Sequence, residues 1–143
     1  SVRLAVREKH DGALDPRVSV RLWLRLLSCT AAIEKIVQRR LAERFGTSLA
    51  RFDVLAALDR HPQGMTMGAL SRALLVSNGN TTQLVQKLVA DGLVSLTPCS
   101  RDRRSSIASL TPAGRREFAR IAEEHHGWIE ALMEGVDSPT RDA

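Results

Sequence analysis

Between Ser77 and Gly92 the chain reads SNGNTTQLVQKLVADG. At helical spacing Thr81, Leu84, Val85 and Leu88 form one inward stripe. Gly79, Asn80, Thr82, Gln83, Gln86 and Lys87 fall opposite, offering amides, hydroxyls and one cation but no carboxylate. Amide side chains pair bidentately with adenine, and hydroxyls bond to bases or phosphates. Gly79 lets the backbone come close to a sugar-phosphate wall. Such a face is suited to reading double-stranded DNA from a groove. An ordinary amphipathic helix with a solvated polar face shows the same pattern, so the flanking chain decides. Ser77 supplies a candidate N-cap and Gly92 a left-handed stop.

Upstream, Ser48 caps a core helix, LARFDVLAALDR, that ends before His61-Pro62. Met65 fits a short strand, and Thr66 caps a short helix, MGALSRAL, that carries Arg72. The chain breaks at Leu75-Val76, and Asn78 follows in the approach to the polar helix. Two short helices joined by a tight turn, the second polar outside, make a helix-turn-helix. Downstream the period changes, and residues 93–97 and 106–110 can pair as strands. Between them lie Arg101, Asp102, Arg103 and Arg104. A basic hairpin tip after a helix-turn-helix is a wing, whose arginines can reach phosphates or a narrow minor groove. Asp102 is expected to pair with Arg103 or Arg104 and hold the tip in shape. The competing reading is a solvated, charged tip.

The outer elements frame this unit. Asp15-Pro16 starts a long helix that closes at Phe45-Gly46. Its apolar stripe, from Leu22 and Trp23 to Leu41, is wide for a surface helix, so more than one partner should cover it. Thr111-Pro112 starts the last helix, with Phe118, Ile121, Ala122, His125, Ile129 and Leu132 on one stripe. That stripe has no obvious partner in a small winged-helix core, and the helical signal fades by Gly135. The fold class is therefore mainly α with a small β-hairpin. The expected divisions are an N-terminal segment over 1–14, a helix over 15–45, the winged helix-turn-helix over 46–111, a helix over 112–136 and a tail over 137–143.

Composition agrees. The 143 residues carry a net charge of +5, and a basic chain favours a polyanionic partner. The positive surface is local, because residues 121–143 hold six carboxylates against one cation. No run of about eighteen apolar residues marks a membrane span. The first residues place charges where a secretory leader would be apolar, and two cysteines fit reduced thiols, so the expected location is cytoplasmic. No phosphate loop, paired Cys/His spacing or nucleophile elbow is present, so neither an enzyme nor a metal or cofactor site is expected. His125 and His126 are adjacent on a helix and make a poor metal pair.

Asp102-Arg103-Arg104, then Leu110-Thr111-Pro112-Ala113-Gly114, together with Leu88-Val89-Ala90-Asp91-Gly92-Leu93-Val94, resemble the MarR family of bacterial transcription regulators. The resemblance covers about residues 16–135. It implies a homodimer whose first and last helices form the dimerisation region. The Ser77 helix would enter the major groove, and Arg103 or Arg104 would touch the minor groove. Such proteins usually repress, and they release DNA when a small molecule binds. The stretches LWLRLLSCTAAIEK, RFDVLAALDR and MTMGALSRALLVSNGN resemble a subgroup controlling aromatic-acid catabolism, some members of which sense aromatic acyl-coenzyme A thioesters. A natural effector site lies beside Trp23, Leu26, Cys29, Thr30 and Ile33, near Phe52 and His125, although the same residues serve equally as plain core. A second possibility is a thiol redox sensor using Cys29; oxidation-sensing relatives support their thiolate with tyrosines, and this chain has none. The wing reading has a direct test: the double substitution Arg103→Ala/Arg104→Ala should weaken DNA binding. Unchanged binding would remove the wing's role and leave that of the polar helix standing.

Overall fold

The computed structural model describes residues 16–75, 80–99 and 102–141, with side chains for all of these except 102–105 and 135–141. The elements are α1 (Pro16–Phe45), α2 (Leu49–Asp59), β1 (Met65–Thr66), α3 (Met67–Ala73), α4 (Thr81–Ala90), β2 (Val94–Cys99), β3 (Asp102–Leu110) and α5 (Pro112–Arg141). The chain divides within α1 into two compact units, residues 1–33 and 34–143. The described part of the first is the front of α1, where Val20, Trp23, Leu24, Leu26 and Leu27 are all exposed. No helix of the described residues is long and apolar enough to cross a membrane.

The second unit holds the core. Its centre is α2, where Val54, Leu55, Ala57 and Leu58 are all at most 1% exposed. They pack with Leu70, Val85, Leu88, Val94 and Ala108 from the helix-turn-helix and sheet. Two acceptors open α2. Ser48 Oγ accepts from Arg51 N at 3.1 Å, and Gln38 Oε1 on α1 accepts from Leu49 N at 2.7 Å. Helix N-termini leave four donors without intrahelical partners, and these bonds satisfy two of them.

The sheet order is β1-β3-β2, antiparallel throughout. Met65 pairs with Ala108, so the short strand expected at Met65 forms. The hairpin is longer than expected. Pro98, Cys99 and Asp102–Arg104 belong to strands rather than to a loop. The register shifts between Pro98 and Cys99, the kind of irregularity at which a strand accepts proline.

Two expectations about helix ends are corrected. The polar helix begins at Thr81, not after Ser77, and Asn80 Oδ1 caps it by accepting from Gln83 N at 3.0 Å. Asparagine caps as well as serine does. The last helix does not fade at Gly135 but runs to Arg141, through the segment expected as a tail. Propagating a nucleated helix adds one hydrogen bond per residue, while the glycine and proline penalties are local. The stripe on α5 also finds a partner inside the unit after all: Phe118 and His125 pack against Phe52 of α2.

The Leu-Thr-Pro-x-Gly motif has a physical explanation. Gly92 (φ +76°) closes α4, with Gly92 N donating to Val89 O and Leu93 N to Leu88 O, both at 3.0 Å. Thr111 then pins this turn to α5. Its Oγ1 donates to Gly92 O at 2.6 Å and accepts from Gly114 N at 3.0 Å, while Thr111 N donates to Leu93 O. The approach is so close that a Cβ on Gly114 would stand 2.0 Å from Leu93 O. Gly114→Ala should therefore destabilise by about 1–3 kcal/mol or more, as overpacking against an unyielding backbone does. Thr111→Val, which loses the cap, should cost about 1 kcal/mol. Urea unfolding midpoints would check both the sizes and their order.

Candidate functional site

On α4 the inward and outward faces separate as the sequence required. Val85 and Leu88 are fully buried, and Thr81 and Leu84 are half-buried. Thr82, Gln83, Gln86 and Lys87 are exposed, and among the described residues no hydrogen bond engages their side chains. Thr81 Oγ1 donates to Ser71 Oγ at 3.4 Å, tying α4 to α3. Arg72 is exposed in the last turn of α3. Asn80, expected to read bases, gives its oxygen to the helix cap and keeps its amide nitrogen as a donor. Ser77, Asn78, Gly79 and Arg101 lie outside the described residues. Asp102, Arg103 and Arg104 stand on β3, Asp102 across from Cys99; their side chains lie outside the description.

A second constellation joins the C-terminal part of α1 to α2 and α5. Phe52 stacks on Phe118 with ring centroids 5.6 Å apart, and the His125 ring lies 4.6 Å from Phe52. Trp128 is 6.5 Å from His125 and 6.2 Å from Phe45. The chain has three Phe, two Trp and no Tyr, so four of its five aromatic residues meet in this seam. Cations border it. The Arg40 guanidinium is 5.8 Å from the Trp128 ring, and that of Arg120 is 4.8 Å from Phe45, positions that favour cation–π attraction. Arg44 forms an ion pair with Glu124, which holds that carboxyl below its ordinary range and the guanidinium above its own. Arg44 is exposed and Glu124 only half-buried, so the pair orients the helices more than it stabilises them.

A family model described as MarR family matches residues 45–105. The transcriptional activatory protein BadR of Rhodopseudomonas palustris is 35% identical over 121 residues, covering 82% of this chain and 69% of that protein. A MarR family transcriptional regulator from Silicibacter pomeroyi is 35% identical, with a TM-score of 0.74 over 92% of this chain and 91% of the other. The chain belongs to the MarR family of transcription regulators. It is a DNA-binding regulator, not an enzyme. A more distant MarR family regulator from Streptomyces coelicolor, solved in complex with DNA, shares the fold at 19% identity, with a TM-score of 0.72 over 87% of this chain and 78% of that one.

Against this MarR frame, the residues anticipated for an effector fall into two groups. Phe52 and His125 are together in the seam. Trp23, Leu26, Cys29, Thr30 and Ile33 belong to the first unit, where all but Ile33 are exposed. Sequence reasoning passed over Phe45 and Trp128 as site residues, because neither lies on the stripe it traced along its helix. The scarcity of aromatic residues was the available signal. It also passed over Arg51 and Asp53 on α2. An aspartate in the middle of an otherwise apolar core helix was the clue.

His125 makes the seam pH-sensitive. Burial, reinforced by His126, lowers its pKa below the usual 6.5. The unfolded chain then binds this proton more readily than the folded one does. The associated stability is present above pH 6.5 and is lost as pH falls through the folded value. Unfolding midpoints should therefore decline on acidification below 6.5, and His125→Phe should remove that component. An unchanged pH profile in the variant would show that His125 is not its source.

Proposed function

We propose that this MarR regulator works as a homodimer that holds a pseudopalindromic operator and releases it on binding a small aromatic acid or its coenzyme A thioester. The observation that carries the DNA half of the reading is the outward face of α4, with Thr82, Gln83, Gln86 and Lys87 exposed. Two copies related by a twofold axis present two such helices to half-sites about 34 Å apart, roughly one turn of DNA. Base contacts by these side chains and by Asn80 give specificity. Arg72, Arg103 and Arg104 give salt-sensitive affinity through phosphates.

The dimer reading is supported by the front of α1. Val20, Trp23, Leu24 and Leu27 recur at helical spacing and are exposed, and a contiguous apolar stripe of this kind calls for a cover. A second copy covers it isologously, with α1 and α5 as the dimerisation helices. The effector reading is supported by the seam. An aromatic acid stacks on rings such as Phe52 and Trp128 while its carboxylate meets Arg40 or Arg120. It shifts the protein away from DNA only by favouring one helix arrangement over another. Repression follows where the operator overlaps a promoter. BadR is named an activator, so operator placement sets the sign. The work is done in the cytoplasm, on the chromosome.

Native mass spectrometry of the protein, titrated with aromatic acids and their coenzyme A thioesters, tests the proposal. A dimer that gains one compound, and that loses a selected DNA duplex when the same compound is added, is the expected result. A monomer would overturn the dimer. A dimer that takes up none of the compounds would overturn the aromatic effector and leave DNA binding in place.

A further inference from the structure

We infer that Arg51 and Asp53, on one turn of α2, are positioning residues for the recognition helix α4, Asp53 holding the exit of α3 that leads toward it and Arg51 its C-cap. The inference rests on the DNA-reading role of α4 given above.

Asp53 is 6% exposed and is the one buried charged side chain among the described residues. It stands between Phe52 and Val54 in the most buried helix of the unit. A carboxylate is costly there unless it is hydrogen-bonded, and an apolar residue of similar size would fill the space more cheaply. What Asp53 holds is a backbone group of the helix-turn-helix. Its Oδ2 accepts from Leu75 N at 2.7 Å, across 22 residues of chain.

The position of that bond is informative. Helix α3 ends at Ala73, and Leu74 is extended (ψ 132°), its N–H still bonded to Leu70 O at 3.2 Å. Had α3 continued, Leu75 N would have turned to Ser71 O. It turns to Asp53 instead, so the carboxylate fixes the point at which the chain leaves α3 for α4. The Leu75 side chain is 84% exposed, so apolar burial does not anchor this residue. At the other end of α4, Arg51 Nη2 meets Asp91 Oδ2 at 2.5 Å, and Asp91 is the C-cap of α4. This second pair is partly exposed and weaker. Base reading tolerates little displacement, so a helix-turn-helix held at the exit of α3 and at the C-cap of α4 keeps its specificity where a loosened one keeps only charge attraction.

The test uses the whole protein. Wild type first selects duplexes from a random pool. Asp53→Leu fills the space without an acceptor, and Asp53→Asn retains one. Asp53→Leu should lose roughly tenfold or more in affinity for the selected duplex, on the order of one lost base contact. It should keep its affinity and salt dependence for an unrelated duplex. Asp53→Asn should restore most of the loss, and Arg51→Ala should show a smaller one. A folded Asp53→Leu protein that binds the selected duplex like wild type overturns the inference. Amide exchange on wild type decides independently of any variant's folding. Leu75 N–H should be protected with the core amides, and exchange at the rate of an exposed turn overturns the clamp. If wild type selects no duplex, the DNA-reading proposal fails, while the exchange measurement still decides the contact.

Discussion

Burial of α2 is the constraint on which the second unit depends. Val54, Leu55, Ala57 and Leu58 are almost wholly removed from water. Fully burying a Val or Leu side chain contributes about 1.5–3 kcal/mol, so these positions supply a large share of the marginal stability of a small domain. Helix α2 contacts α3, α4, α5 and β3 directly, and β1 and β2 are joined to it through β3. The polar contacts are laid over that apolar frame: Gln38 and Ser48 at its first turn, Arg51 and Asp53 toward the helix-turn-helix, Phe52 toward the aromatic seam.

Much of this was legible in the sequence because it depends on local chemistry. Ser48 and Thr66 cap helices, and Gly92 ends one, through side-chain oxygens and a φ that a sequence displays openly. The two faces of α4 follow from a period of 3.6. The start of α4 was misplaced because Ser77 and Asn80 are equivalent capping types, and choosing between them depends on what the turn packs against. The end of α5 was misplaced because Gly135 and Pro139 are local signals set against the momentum of a long helix. The contacts that escaped are those between residues far apart in the chain. Nothing near Asp53 in sequence announces Leu75, and nothing near Trp128 announces Phe45.

The proposed function assigns two kinds of recognition to separate surfaces. The polar reading face of α4 lies on an element whose inner side is closed by Val85 and Leu88. The aromatic seam, by contrast, is bordered by Arg40, Arg44 and Arg120 and by the carboxylate of Glu124, with an ion pair at its rim. In that proposal one surface meets a long, regular polyanion and the other a small, flat molecule with charge at its edge. Phe52 sits between Arg51 and Asp53 on α2, so a displacement of α2 at the seam would act on the residues that bond the exit of α3 and the C-cap of α4.

The distribution of the two tryptophans has an optical consequence. In the single chain Trp23 is exposed on the front of α1, on the stripe that a second copy is proposed to cover, while Trp128 is half-buried beside Phe45, His125 and the Arg40 guanidinium. With no tyrosine in the chain, its near-ultraviolet emission comes from these two indoles in unlike surroundings. In the single chain the redder emission would come from Trp23, and covering of the α1 stripe by a second copy would move it to the blue, while Trp128 would report on the seam. A change in either region can therefore be followed, and told from the other, by the native fluorescence of the unlabelled protein.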